Sequence, residues 1–327
     1  MSKETRSVVV EITKFAHHPN ADKLDITQVN GNYPCIFQRD NFKPGDKAVY
    51  IPVDSVVPDL PSFAFLEGHN RIKARRLRGI FSMGLLIPLK ELIDEDVPVG
   101  TDVTDRIGIT KYEPPIDKIF WKQGEAASDP GCAPVFEVEG LRMFPTAFAN
   151  KQVSITEKIH GTNVRVVYHD GELHVGSHRT WLKKGPNTWW NVVQNYHLEE
   201  LLAKDSEYVL YGEIYGPKIQ DLDYTAKTPQ IVFYDVMLKS TQTFASPEQF
   251  RKVMDGFELP TVPVLFEGAW SENLLSLAEG PTIFGNAAHV REGIVIRPTK
   301  EEFSPELGGR LILKFCGEGY YTRKEKK

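Results

Sequence analysis

Glu157-Lys158-Ile159-His160-Gly161-Thr162-Asn163 is the stretch on which the reading of this chain turns. It follows Val153-Ser154-Ile155-Thr156, whose alternation of apolar and polar residues predicts a half-buried strand ending where the polar run begins. One reading of the run is a nucleophilic lysine. A lysine amine with an ordinary pKa of about 10.4 is well under ~1% neutral at pH 7. It needs burial or neighbouring cations to become a nucleophile. Gly161 permits close backbone approach to a ligand, and Asn163 offers donors and an acceptor together. The other reading is a polar hairpin loop with a solvated lysine and histidine, the more common meaning of a bare Lys-x-x-Gly.

The bulk composition narrows the setting. The chain has 327 residues, enough for two domains with their own cores. With 41% hydrophobic and 25% charged residues it reads as an ordinary globular protein. No apolar run approaches the length of a membrane span, and the opening Met1-Ser2-Lys3-Glu4-Thr5 has no signal-peptide core. Cys35, Cys132 and Cys316 are odd in number and far apart, which argues against a disulfide framework and for a reducing cytoplasm. A net charge of -5 does not advertise nucleic-acid binding, but local clustering of Lys and Arg is what decides that.

The first hundred residues predict short strands at Val8–Ile12, Leu24–Val29, Tyr33–Phe37, Lys47–Val53 and Phe81–Pro88, with turns at Asn30-Gly31-Asn32 and Pro44-Gly45-Asp46. This spacing predicts a small antiparallel barrel. The phrase His18-Pro19-Asn20-Ala21-Asp22-Lys23-Leu24 resembles the opening of the OB-fold tRNA-binding modules attached to some synthetases. Within Ile72–Gly79 stand four cations, Lys73, Arg75, Arg76 and Arg78, which on a barrel edge would make a patch for phosphates; a solvated charged loop is the alternative. Pro, Gly, Ala and acidic residues predict a linker over 116–133, with Ile119-Phe120-Trp121 docking on one of the domains. Beyond it, Asn191–Lys204 reads as a helix, and Ser246-Pro247-Glu248-Gln249-Phe250 opens another with a Ser cap. The expectation is an α+β chain, mostly antiparallel, with a first domain over 1–115 and a second over 134–327.

Lys158-Ile159-His160-Gly161-Thr162-Asn163 resembles the Lys-x-Asp-Gly element of covalent nucleotidyltransferases, the superfamily of polynucleotide ligases and capping enzymes. The histidine followed by Gly-Thr-Asn is similar to its RNA-ligase variant. Further elements follow in that family's order. They are Gly176-Ser177-His178-Arg179-Thr180, Leu210-Tyr211-Gly212-Glu213-Ile214-Tyr215-Gly216, Ile231-Val232-Phe233-Tyr234-Asp235-Val236, Arg291-Glu292-Gly293-Ile294-Val295-Ile296-Arg297 and Arg310-Leu311-Ile312-Leu313-Lys314-Phe315. Together they cover about residues 135 to 322, and any one alone is a weak signal. The order of modules, OB-like in front and a nucleotidyltransferase (ATP-grasp-like ligase) domain behind, resembles the branch of ATP-dependent RNA ligases with an N-terminal OB domain.

The resemblance implies roles. Lys158 is the nucleophile that takes AMP from ATP, and Glu213 receives a ribose hydroxyl. Tyr234 stacks on adenine while Phe233 turns into the core. Arg179 holds the ribose and the 3'-OH strand, and Lys314 neutralises the phosphates. Glu292 supports a Mg2+ or Mn2+ ion, and local physics points the same way: a carboxylate among Ile and Val is costly without a cation beside it. Asn163 and, more weakly, Glu157 contact the nucleotide, with Glu157 reading the adenine amino group. His160 either contacts the leaving pyrophosphate or orients its loop. The family often has a second lysine where this chain has Cys316, unless Arg310, Arg323 or Lys324 supplies that charge. The expected partners are ATP and RNA or RNA/DNA duplex ends, sealed at 3'-OH/5'-phosphate nicks by a monomer. Two other classes stay open: a non-catalytic OB-type RNA-binding protein, and a DNA ligase or capping guanylyltransferase on the same core.

Overall fold

The structure, a computed structural model, describes residues 5–112 and 126–324. The expected docking of Ile119-Phe120-Trp121 lies outside those residues. Two compact units divide the described chain, 5–112 with 138–147, and 126–137 with 148–324.

The first unit is built from short antiparallel strands. Val8–Ile12, Asp46–Ile51 and Leu85–Pro88 form one sheet, with Asp46–Ile51 in the middle. Ala16–His17, Leu24–Val29 and Tyr33–Gln38 form a second. The first of these sheets contributes Val9, Val49, Ile51 and Ile87 to a core that Val57, Phe63 and Ile72 complete from the connecting segments. The apolar run expected as one strand over Phe81–Pro88 is two, Ile80–Ser82 and Leu85–Pro88. Gly84, at φ +78°, turns the chain between them. The run of cations becomes a hairpin, Arg75–Leu77 against Ile80–Ser82. The strip 138–147, which the sequence pattern assigns to the second domain, groups with this unit; Gly31 lies against the backbone of Arg142 and Met143.

The second unit holds two antiparallel sheets. One runs Trp181–Leu182, Glu172–Gly176, Thr162–His169, Tyr208–Tyr215, Gln230–Leu238, Thr243–Phe244 in spatial order. The other places Leu313–Cys316, Gly293–Pro298, Gln152–Lys158 and Val264–Ala269 side by side. The helices Thr188–Asn195, Leu198–Lys204 and Pro247–Gly256 contribute Trp189, Trp190, Val193, Leu198, Leu202, Phe250 and Met254 to the large core under the first sheet. The single helix expected over Asn191–Lys204 is broken at His197, whose φ of +52° ends one helix and caps the next. The helix after Ser246 carries a full capping box with Gln249, which satisfies two of its otherwise orphan N–H groups.

Residues 126–137 lie along this unit as a docked strip rather than a free linker. Arg165 Nη1 donates to Ala133 O at 2.6 Å, the Tyr211 hydroxyl donates to Pro134 O at 2.8 Å, and Phe136 packs on Tyr211 and Phe244. Apolar residues in a stretch of linker-like composition gave the strip something to bury.

Candidate active site

The strand Gln152–Lys158 ends in one sheet, and after three intervening residues the strand Thr162–His169 begins in the other. The connection therefore sits where the two sheets meet. Ile159 is pinned beneath it among Leu222, Tyr224, Val232 and Val262. A Cβ on Gly161 would fall 2.2 Å from Ile214 O and 2.9 Å from Glu213 Cγ, so only glycine lets the strand carrying Glu213 come this close.

Strand register sets what faces what. Lys158 lies opposite Gly293, which lies opposite Cys316; two rows further, Thr156 lies opposite Val295, which lies opposite Lys314. Lys158, Lys314 and Cys316 thus share one face of the sheet. Glu157 belongs to the other face. There it is almost fully buried, accepting from Thr282 Oγ1 and from Ile283 N at 3.1 Å, with Arg291 Nε 3.2 Å away.

Lys158 Nζ donates to Glu292 Oε1 at 2.7 Å. Glu292 is 6% exposed, and its cation is the lysine itself. Burial works against both charges. Even so, Glu292, followed by Cys316 and Glu213, holds the lysine above its ordinary range. Lys158 and His160 in turn bring the Glu292 carboxyl down to about 2. Glu213 behaves differently. Burial pushes it up to about 7, with Lys158 pulling it down and Glu292 pushing it further up. The ligand-free chain therefore stores its candidate nucleophile as an ammonium.

Glu292 Oε2 is buried without a hydrogen bond, with His160 Nδ1 3.7 Å away. An acceptor orphaned in this way fits a cation held against it. Among the described residues no group of three His, Cys, Asp or Glu side chains could hold a metal alone. Such an ion would complete its shell with phosphate oxygens and water, as magnesium usually does.

His160 is fixed on every side. Its backbone N–H donates to the Tyr224 hydroxyl at 2.7 Å, Nε2 lies 2.8 Å from Asp221 Oδ1, and Nδ1 lies 3.2 Å from the Tyr320 hydroxyl. Arg323 binds Asp221 through Nε and Nη2 at 3.0 and 2.9 Å and stacks 3.8 Å over Tyr320. Burial disfavours an imidazolium here, but the carboxylates of Asp221 and Glu292 beside it raise the His160 pKa above its usual value. His160 and Arg323 hold Asp221 well below the usual carboxylate range against its own burial. Asp221, Tyr224 and Tyr320 carried no signal in the sequence: they stand in an irregular loop and a one-turn helix without periodic pattern.

On the other sheet, Asn163 lies opposite Glu213. Its Nδ2 donates to the Tyr234 hydroxyl, while its Oδ1 is buried without a partner. Trp189 Nε1 donates to the Asn163 carbonyl at 3.0 Å. Tyr234 is the extra residue of a β-bulge, because Tyr211 pairs with Asp235 and Gly212 already pairs with Phe233. A bulge re-aims a side chain. Phe233 is fully buried in the core and Tyr234 only half-buried. Arg179 is exposed in the turn Ser177–Thr180, which is closed by Ser177 N to Thr180 O at 2.8 Å and held by Arg165 Nε to Ser177 O at 3.1 Å. Arg310 does not make up for Cys316. It is bound to Asp235 at 2.7 Å and to Glu301, with its guanidinium 3.6 Å over Phe244. Lys73, Arg75, Arg76 and Arg78 belong to the first unit and are all exposed on its hairpin.

Comparison with known proteins accounts for both units. An OB-fold domain profile matches residues 7–89, so the chain begins with that fold. The phenylalanine–tRNA ligase beta subunits of Geobacter metallireducens and Neisseria gonorrhoeae are each 31% identical to it, over 116 and 118 residues. Each match covers 31% of this chain but only 13% and 14% of those relatives, so the chain spans about a seventh of their length. Among solved structures, an RNA ligase from Naegleria gruberi with pyrophosphate aligns at a TM-score of 0.83 and 23% identity, covering 97% of each chain. A variant of it with ATP and Mn aligns at 0.85 and 22%, covering 97% of this chain and 98% of that one. Likeness at this identity speaks to the fold. Among the described residues no helix is long and apolar enough to cross a membrane. The RNA ligase profile matches residues 151–316, the span that carries Lys158, Glu213, Tyr234, Glu292 and Lys314, and the chain belongs to the RNA ligase family.

Proposed function

We propose that this chain is an ATP-dependent RNA ligase that seals a 3'-OH to a 5'-phosphate, at nicks in duplexes, through a lysyl-AMP. The observation that carries the reading is the pair Lys158–Glu292, at 2.7 Å, with a second carboxylate oxygen buried and unbonded beside it. A lysine stored charged against a carboxylate is an amine that becomes a nucleophile once that carboxylate is otherwise engaged. The solved Naegleria gruberi ligases with ATP and Mn support ATP and a divalent ion as the ligands here.

In the first step Lys158 Nζ, having lost its proton, attacks the α-phosphorus of ATP. An N–P bond forms as the P–O bond to pyrophosphate breaks in line with it. In the second, an oxygen of the RNA 5'-phosphate takes the adenylyl group and the lysine leaves. In the third, the 3'-OH attacks that 5'-phosphorus and AMP departs. Each step gathers negative charge on phosphate oxygens, so positioning and cationic stabilisation carry the catalysis. A Mg2+ or Mn2+ ion held by Glu292 would supply Lewis-acid stabilisation of that charge.

This chain's own residues do the rest. Lys314, on the face of Lys158, meets phosphate. His160, held by Asp221 and Tyr320, contacts the departing pyrophosphate. Glu213 accepts from a ribose hydroxyl, and Tyr234, anchored through Asn163, stacks on adenine, a contact worth about 1–3 kcal/mol. Glu157 accepts two hydrogen bonds and pairs with the Arg291 guanidinium, which leaves acceptor capacity for an adenine amino group. Arg179 sits at the surface, within reach of the 3'-OH strand. Lys73, Arg75, Arg76 and Arg78 grip the flanking RNA backbone.

The test is incubation with ATP labelled at the α-phosphate, with a divalent ion, followed by denaturing separation. The wild-type chain retains label and Lys158→Ala does not. Label on the alanine variant overturns the assignment of the nucleophile. No label on the wild type favours a non-catalytic RNA-binding protein. Competition by GTP or NAD, or indifference to DNA at the 3'-OH side of the nick, favours another member of the superfamily.

A further inference from the structure

The basic hairpin is held at its turn by a segment distant in sequence. Arg78 at φ +47° and Gly79 at φ +90° form the two-residue turn between Arg75–Leu77 and Ile80–Ser82. The carbonyls of Leu77 and Arg78, at the head of that turn, are both taken. His18 Nε2 lies 3.1 Å from Leu77 O, and Asn20 Nδ2 donates to Arg78 O at 3.0 Å. Asn20 N donates to His18 Nδ1 at 3.0 Å, so the imidazole must carry its proton on Nε2 to donate to Leu77. His18 is 4% exposed, whereas Asn20 is exposed. Ile72 and Ala74, leading into the hairpin, are buried, while Lys73, Arg75, Arg76 and Arg78 are exposed. The one aromatic ring between 73 and 82 is Phe81, at 6% exposure, which leaves no surface on which a base could stack. The hairpin is therefore equipped for phosphates and not for bases.

We infer that His18 and Asn20 are positioning residues that lock this hairpin into a rigid, sequence-independent grip on an RNA phosphate backbone. The inference rests on the proposed nucleic-acid role of the four cations. Two hydrogen bonds spent on the carbonyls of a surface turn fix the backbone that carries Arg75, Arg76 and Arg78. Ordering that a flexible hairpin would have to undergo on binding is thereby completed in the free protein.

The experiment uses the full chain and a fluorescein-labelled nicked RNA duplex, with Kd read by anisotropy across salt concentrations. The triple variant Arg75→Gln, Arg76→Gln, Arg78→Gln lowers the slope of log K against log salt by about 0.9 for each phosphate it no longer neutralises. Asn20→Ala weakens binding about fivefold, the factor corresponding to a missing hydrogen bond of ~1 kcal/mol, and speeds amide exchange in the hairpin. His18→Ala does the same or more, and Asn20→Ala serves as the test if His18→Ala fails to fold. The decisive measurement is the combination: added to the triple variant, Asn20→Ala changes Kd no further, because it acts only through those arginines. If Asn20→Ala binds like wild type, or costs the same factor in the triple background, the positioning role is overturned while the patch stands. If the triple variant itself binds like wild type, the patch reading fails and this inference with it. Neither result depends on whether Lys158 takes label from ATP.

Discussion

Replacing Glu292 by Gln removes the carboxylate that holds Lys158 charged and that we propose as a metal ligand, and the two consequences run in opposite directions. The lysine ammonium sits 2.7 Å from Glu292 Oε1, with its side chain 27% exposed and that of Glu292 8% exposed. An opposite charge within ~4–6 Å moves a titration by about 1–3 pH units. The amide keeps the volume and one acceptor but loses the charge, so the lysine titrates at lower pH. Its neutral fraction at pH 8 then rises about tenfold or more. Chemical acylation of Lys158 by a small reagent, followed by mass spectrometry across pH, reads that fraction directly. Glu292→Gln should label faster than wild type, with its profile displaced toward lower pH. Adenylylation by ATP should fall about a hundredfold or more, because a Lewis acid at the phosphate is worth several kcal/mol and the amide is a poor ligand for it. A more reactive amine that takes up less AMP separates the two roles. If the amide variant acylates no faster than wild type, the ion pair does not govern the lysine and the account of its storage is wrong.

Three other outcomes follow from the geometry. Glu213 has its pKa raised to about 7, above the ordinary carboxylate value, so the folded chain binds an extra proton between about pH 4.5 and 7 and loses stability as pH rises through that window. Glu213→Gln should melt higher than wild type at pH 8 and about equally at pH 5 while adenylylation falls, and thermal melts at the two pH values check it. Asp235 is fully buried between Arg297 at 3.0 Å and Arg310 at 2.7 Å, bridging the two sheets of the second unit. Asp235→Ala strands the buried guanidinium of Arg297 and leaves Arg310 with Glu301 alone, and urea unfolding should show a loss of about 3–5 kcal/mol. A Cβ at Gly293 would lie 2.3 Å from Phe315 O and 2.7 Å from Cys316 Cα, all backbone. Gly293→Ala must therefore push the strand Leu313–Cys316 away, costing about 1–3 kcal/mol in stability. Because it moves Lys314 relative to Lys158, lysine labelling should drop about a hundredfold.

The parts of this site legible in the sequence are those that a strand pattern carries. Glu292 among Ile and Val announced a buried carboxylate needing a cation, and the cation is Lys158. Alternation told Phe233 from Tyr234, and the bulge that separates them further left no trace in residue types. Alternation also put Cys316 on the face of Lys314. The main strands of the first unit were readable from their Gly and Pro punctuation, but the turn at Gly84 was hidden inside an apolar run. The helix break at His197 was hidden likewise, because a positive φ at a histidine follows from packing and not from propensity. Asp221 and Tyr320 escaped for another reason. They act by converging on His160 from positions 61 and 160 residues away, and no local window contains that convergence.

Convergence also decides what becomes of the charge that Cys316 does not carry. Lys158, Gly293 and Cys316 form a row across three strands, and glycine places no side chain between the outer two. A lysine at 316 would press like charge on Lys158 and ease its loss of a proton. The thiol exerts no such push. Arg310 is spent on Asp235 and Glu301, and Arg323 on Asp221, so neither guanidinium faces the nucleophile as an unpaired charge. Arg323 instead holds Asp221, and Asp221 holds His160 with a raised pKa beside Glu292. A proton on His160 would compete with Lys158 for Glu292. It would loosen the ion pair from the carboxylate's side, where a second lysine would have loosened it from the amine's. Either route lowers the hold on the same proton, and here it runs through a histidine that the C-terminal helix keeps in place.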